Sequence, residues 1–372
     1  MRIVVLTKRQ YTNKDVIDDR YGRLWEIPMA LARQGHEVTC ICLSYRPGNA
    51  AVDVGAQESG LNIRWTSIDL GAAKLIGFLR YYFLVRKTIR DARPDVIWSC
   101  SDTIYAVLGK HFAKRFACRS IADLYDNFEY FGSYRIPIIA SLYRKAVRDS
   151  DGVSCVSSAL SSYVASAYGR TKITSVITNA VDVNVFQPMD KAQCRRKLGL
   201  PENAVLIGSA GDISNYRGAD MMYRAFSEAA HELGAVQLAV AGYRTADSTI
   251  PDGENIHDLG ILAPEDVPLF LNALDLAIIY NRSSSFGDYC FPQKFYEMLA
   301  CRVPIVAANV GELGLLLESK PHLLYEDGDV SDFVTVSKRQ LEARETVDLD
   351  VPSWTDQAEI LEQLMQSVVS SN

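Results

Sequence analysis

Short apolar runs bounded by polar turns recur at Val4–Leu6, Glu37–Leu43, Val96–Cys100 and Ser120–Leu124. Such runs are the mark of parallel strands buried on both faces. Between them, Arg23–Gln34 and Ile104–Arg115 repeat their apolar residues at helical spacing. A second alternation starts at Ala204–Ile207 and continues through a helix at Met221–Leu233 and a strand at Val236–Ala241. It goes on to a helix at Val267–Leu274 and a strand at Leu276–Tyr280. Alternating strands and helices predict doubly wound α/β sheets. The pattern breaks at Phe186-Gln-Pro188, which places a boundary near 185–200. A chain of 372 residues, 48% of them hydrophobic, suits two packed cores better than one. A last helix is expected over about Thr355–Val368, crossing back to the first domain. No internal repeat interrupts this plan, and no eighteen apolar residues run together to predict a membrane span. The opening Met1–Thr7 reads as a first strand, too short in its apolar run for a signal peptide.

The densest stretch lies between Phe291 and Ala308. Pro292 suits a first helical position, and Phe295, Met298 and Leu299 follow on one apolar face. Lys294 and Glu297 stand three apart and so share another face. A cation at a helix start attracts phosphate, and a carboxylate one turn on accepts two ribose hydroxyls. An amphipathic helix with a solvated ion pair has the same spacing.

Charge divides unevenly. Residues 1–190 hold 25 basic against 18 acidic side chains, so the net −6 of the whole chain comes from the second half. An excess of positive charge points to an anionic partner. Nucleic acid fits poorly, since no basic groove-reading helix and no RNA-binding aromatic signature is present; an anionic lipid surface fits better. Residues 74–90 mix aromatic with basic side chains, as an interfacial helix does. A core-facing helix with its basic residues in water has the same composition. The eight cysteines form no CxxC pair and have no histidines grouped near them, so they read as buried fillers in a reducing compartment, with no metal site expected. Walker and early Gly-x-Gly-x-x-Gly loops are missing, against kinase and dehydrogenase readings, and no Ser-His-Asp set is evident.

Four segments in order carry a resemblance: Gly35-His-Glu-Val38, Asn179-Ala-Val-Asp182 with Phe186 and Pro188, Gly211-Asp-Ile-Ser-Asn-Tyr-Arg-Gly218, and Pro292-x-Lys-x-x-Glu-x-x-Ala-x-x-x-Pro304. Together they resemble the family 4-like retaining glycosyltransferases of the GT-B fold (glycosyl transferases group 1). The resemblance implies two Rossmann-like doubly wound domains facing a cleft. The acceptor-side domain would span 1–187 and the nucleotide-sugar domain 188–352, with 353–372 returning to the first. It implies transfer from a UDP- or GDP-sugar to a lipid-linked or polysaccharide acceptor in surface glycan synthesis. The enzyme would be cytoplasmic, peripheral at the membrane, and free of any cofactor or metal.

By the same resemblance, Arg217 contacts the diphosphate within the loop from Gly211 to Gly218; a plain surface-loop role is its alternative. Asp212 departs from a basic residue of the family, and Lys294 is the candidate to compensate. Glu297 matches the ribose ligand. The family's first acid falls at Tyr289, with Asp288 its substitute if the loop shifts by one. Gly287 allows backbone approach to sugar and phosphate, and Gly260 matches the turn beside the nucleobase. Gly22 corresponds to the first glycine loop. Asp126 orients or deprotonates the acceptor hydroxyl, or else caps a helix, with Glu129 as a second choice. The front-face mechanism of the family uses the leaving phosphate as base. An epimerase of the same fold and a non-catalytic partner subunit, the latter motivated by Tyr289 and Asp212, are the competing readings.

Overall fold

The computed structural model describes residues 1–11, 14–46, 52–55, 60–233, 235–245, 248 and 253–371. It divides into two units, Met1–Asn179 with Trp354–Asn372, and Ala180–Ser353. The division falls at 179/180, ahead of the 187/188 expected from the break at Phe186, because the segment from Ala180 onward already packs with the second unit.

In the first unit, strands run in the spatial order Thr174–Val176, Gly152–Cys155, Arg119–Leu124, Val96–Ser99, Arg2–Lys8, Glu37–Ser44, Ile63–Asp69 and Val52–Gly55. All pair in parallel except the last, which lies antiparallel at the edge. The direction of winding reverses between Arg2–Lys8 and Val96–Ser99, so the carboxyl ends of these two strands open a crevice. One face of the sheet packs Val4, Leu6, Ile41 and Ile97 against Tyr81, Val85 and Ile89 of the helix Lys74–Ala92, and against Tyr105 and Phe112 of the helix Thr103–Phe116. The helix Trp354–Ser370 packs on the helix Arg23–Arg33, burying Leu361, Leu364 and Val368.

The second unit has strands in the order Ile256–Asp258, Val236–Arg244, Val205–Ile213, Leu276–Ile279, Ile305–Ala308 and Leu324–Tyr325, all parallel. Its winding reverses between Val205–Ile213 and Leu276–Ile279. Its core joins Ile207, Leu238, Ile278 and Val306 to Met222 and Phe226 of the helix Ala219–Leu233, and to Phe333 of the helix Val330–Ala343.

Two local outcomes differ from the sequence reading. The helix after Pro292 begins at Lys294 and runs seven residues to Ala300, with Gln293 as its cap. So short a helix brings little dipole. The strand expected at Ala204–Ile207 continues to Ile213, so Gly211 and Asp212 are ladder residues paired with Gly242 and Tyr243. All eight cysteines are free thiols and all but Cys118 are buried. Among the described residues, no helix is long and apolar enough to cross a membrane.

Candidate active site

In the second unit the residues singled out by sequence gather where the winding reverses. Gly211 (φ +117°) faces Gly242 across the ladder, and a Cβ on Gly242 would lie 1.8 Å from the Gly211 carbonyl oxygen. No side chain fits there, so the two strands approach closely. The stem of Lys294 lies over Gly211, its Cε 3.9 Å from where a Cβ would stand. Its Nζ sits 4.0 Å from the centre of the Tyr280 ring and has no hydrogen-bond partner, although it is shut off from water. Burial pushes this ammonium down to about 7; the charge of Arg217 adds to the shift, while Asp212 and Glu297 oppose it.

Asp212 is no vacant substitution. Its Oδ2 accepts from Arg217 Nε at 3.0 Å and from the Tyr216 hydroxyl at 2.6 Å. Its carbonyl accepts from the Tyr280 hydroxyl at 2.8 Å. Arg217 also lies 4.8 Å from the centre of the Phe286 ring. Burial works against its charge, but Tyr216, Cys290 and Asp212 outweigh that and hold its pKa above the usual value. Arg217 is thereby fixed in place, unlike a loose surface-loop arginine. Gly218 (φ +95°) ends the turn Asn215–Arg217 in a left-handed conformation that favours glycine.

Glu297 accepts from Gln293 Nε2 at 3.1 Å. Burial raises its carboxyl to about 7, against Gln293 and Lys294, which lower it. One turn from Lys294, it is therefore no member of a solvated ion pair. Gly287 is wedged under the carbonyl of Arg282, where a Cβ would approach to 1.9 Å. Its amide donates to Ser284 Oγ at 2.9 Å. Asp288 is bound by Ser283 Oγ at 2.9 Å within the same loop, and Tyr289 beside it is half-buried. Gly260 (φ +64°) ends the neighbouring turn, its carbonyl accepting the Gly242 amide at 2.7 Å.

In the first unit the crevice is set by Lys8, Ser101, Tyr125 and Asp126. Ser101 holds φ +98°, costly for any side chain, and its Oγ bonds Thr7 Oγ1 at 2.8 Å and accepts the Lys8 amide at 3.0 Å. Lys8 Nζ lies 5.6 Å from the Tyr125 ring centre. Burial lowers its pKa against the nearby charges of Asp102 and Asp126. Asp126 thus borders this crevice, and it is not the helix cap: Asn127 caps the turn Phe128–Tyr130 through the Glu129 amide. Gly22 (φ +71°) starts the helix Arg23–Arg33, where a Cβ would come within 2.8 Å of the Tyr11 ring. Glu129 cannot serve as the acceptor base. Its carboxylate is taken up by the hydroxyls of Tyr134, Tyr163 and Tyr168 at 2.6, 2.7 and 2.8 Å, and by Arg144 at 3.1 Å.

Sequence reasoning missed Tyr280, Ser101, Lys8 and the buried pair Arg23–Asp123, which closes at 2.7 Å with Arg23 also donating to the Ile177 and Thr178 carbonyls. Tyr280, Ser101 and Lys8 each lie at or just beyond a strand's carboxyl end, the place that a doubly wound sheet reserves for ligands.

Both halves match family descriptions. Residues 23–180 match the glycosyl transferase 4-like domain and residues 204–342 match glycosyl transferases group 1. The chain belongs to the family 4-like glycosyltransferases of the GT-B fold. It is 29% identical over 149 residues to a D-inositol 3-phosphate glycosyltransferase of Segniliparus rotundus, and 33% over 150 residues to one of Mycobacterium marinum. Those alignments span 37% of this glycosyltransferase-family chain and only 32% and 30% of the relatives. In fold it is similar to sucrose-phosphate synthase of Thermosynechococcus elongatus (TM-score 0.71, 14% identity, 99% of this chain and 94% of that one). It is also similar to HepE of Anabaena in complex with UDP (TM-score 0.68, 17% identity, 99% and 98%).

Proposed function

We propose that this chain is a retaining, metal-independent glycosyltransferase that takes a sugar from a UDP- or GDP-sugar. The observation that carries the reading is Lys294: a buried Nζ without a hydrogen-bond partner, at the reversal of the sheet, beside a fixed Arg217. Burying an ammonium without a partner is costly, and an incoming diphosphate supplies the missing anion. Arg217 and Lys294 would take up charge as the bond from the anomeric carbon to the diphosphate oxygen breaks. Glu297 would accept the ribose hydroxyls, and the Gly287–Asp288–Tyr289 loop and Gly260 would face sugar and base. Gly211 and Gly218 keep side chains away from the phosphates.

On the acceptor side we assign Asp126 to orient the attacking hydroxyl and Gly22 to shape the loop beside it, where its missing side chain leaves room for Tyr11. The new bond forms on the face the diphosphate leaves, and the hydroxyl proton passes to a departing phosphate oxygen. A lipid-linked or polysaccharide acceptor at the cytoplasmic face of a membrane fits the helix Lys74–Ala92. Its side turned from the core exposes Leu75, Ile76, Leu79 and Phe83, followed by Arg86, Lys87 and Arg90.

Calorimetry with UDP, GDP and ADP, using Glu297→Ala as control, tests the reading. Binding of one nucleotide, lost in the variant, is expected. No binding at millimolar nucleotide would overturn it and favour a partner subunit. Turnover of the sugar nucleotide without any acceptor would favour an epimerase.

A further inference from the structure

The first unit's sheet has a second end. At the amino ends of its strands, opposite the crevice, lies a cavity of about 840 Å³. Six cations line it: Arg2 opening its strand, Arg90 and Arg93 at the end of the helix Lys74–Ala92, Lys110 and Lys114 on the helix Thr103–Phe116, and Arg119. Only two carboxylates, Asp95 and Asp151, share the lining.

These charges do not simply cancel. Asp95 engages Arg2 at 3.4 Å. Asp151 engages Lys110 at 3.4 Å and lies 3.9 Å from Arg119, which also donates to the Ser371 carbonyl. Arg90 pairs with Asp91 outside the lining at 3.0 Å. Among the described residues, the side chains of Arg93 and Lys114 have neither ion pair nor hydrogen bond. The bland account is that basic residues complement helix carboxyl ends, and two helices do end here, at Arg93 and Ala117. Each end amounts to about half a negative charge, roughly one in all, against a lining excess of four positive charges. With Arg90 taken up by Asp91, the dipoles leave about two of these charges unmatched, the number carried by Arg93 and Lys114.

We infer that this cavity binds a phosphate-bearing anion, at a site separate from the candidate active site and independent of the transfer reaction. Arginine forks and lysine ammoniums lining one concave surface are suited to phosphate oxygens. The cavity is of the size that holds a small ligand. Ile89, Pro94, Phe116 and Val369 add an apolar wall for the rest of the molecule. A free phosphorylated solute and a lipid headgroup present the same chemistry.

The probe is inorganic pyrophosphate, titrated at low ionic strength into the full chain carrying Arg217→Ala and Lys294→Ala, which silence the other phosphate seat. Adding Arg93→Glu and Lys114→Glu reverses two exposed cations, and unchanged thermal melting confirms the fold. Binding is expected with the cavity intact and about tenfold weaker or worse after reversal, since two charge-assisted contacts are lost. A control of equal charge, Lys338→Glu with Arg339→Glu in the second unit, should bind like the parent.

Vesicles of phosphatidylglycerol separate the sources. Loss of vesicle binding on reversal, together with loss of pyrophosphate, assigns the cavity to a headgroup. Retained vesicle binding with pyrophosphate lost assigns it to a soluble phosphate. Equal pyrophosphate binding before and after reversal, an equal loss in the control, or no binding at all overturns the inference.

Discussion

Two side chains of opposite sign, Lys294 and Glu297, are both brought to about 7 by burial. Their neighbours are Arg217, Asp212 and Cys290 around the lysine, and Gln293 and Cys301 around the glutamate. A bound diphosphate favours protonated Lys294, so as pH rises through about 7 the free protein must take up a proton to bind. Ribose hydroxyls favour ionised Glu297, so as pH falls through about 7 binding must release one. Nucleotide affinity is therefore expected to peak near neutrality, falling up to about tenfold per pH unit on each side. Lys294→Ala should remove the alkaline limb and Glu297→Gln the acid limb. Titrations in buffers of different ionisation heat read the protons directly, and a flat wild-type profile would refute the assignment. The sequence singles out Lys294, Glu297 and Arg217, and the structure places the latter two beside Lys294. Charge state was not legible, because it depends on burial that no spacing reveals. Nor was the partnership of Arg23 with Asp123, two residues a hundred positions apart whose meeting depends on strand order.

At the scale of elements, Glu129 is a tie. Its carboxylate joins the turn Phe128–Tyr130 to Tyr134, to Arg144 of the helix Pro137–Asp149, and to Tyr163 and Tyr168 of the helix Ser158–Tyr168. Glu129→Ala leaves four donors without their acceptor and should cost about 2–4 kcal/mol in urea unfolding. Burial opposes ionisation, but the three hydroxyls and Arg144 prevail and lower its pKa. The stability it contributes is full above the ordinary carboxylate pKa and is lost as pH falls through the lowered value. Glu129→Gln should flatten that acid limb of the melting temperature, and an unchanged limb would count against the tie.

Long periodic elements such as Arg23–Arg33 and Val236–Arg244 were readable within a few residues. The strands Gly152–Cys155 and Thr174–Val176 were not, because their small and polar residues break the apolar run that marks the similarly short Val96–Ser99. Pro292 misplaced the start of the helix Lys294–Ala300 by two residues, since its carbonyl accepts from Phe295 while its own backbone stays outside the helix.

At the scale of the molecule, the helix Lys74–Ala92 leaves one apolar side uncovered. Tyr81, Val85 and Ile89 bury one side of the helix Lys74–Ala92, while Leu75 remains 74% and Phe83 57% exposed on the other. Leu75→Ser with Leu79→Ser should reduce co-sedimentation with anionic vesicles severalfold while leaving nucleotide calorimetry unchanged. Binding that stays the same would remove the membrane from the proposal.

The helix Trp354–Ser370 belongs to the first unit although the chain reaches it last. The second unit is thus a continuous stretch of chain, and the first is split around it. The first unit therefore cannot be completed until the whole of the second has been synthesised, because its closing helix is encoded after residues 180–353. A fragment of residues 180–353 is expected to melt cooperatively alone, whereas 1–179 should not until the peptide 354–372 is supplied in trans. Damage confined to residues 354–371 would then fall on the unit encoded first.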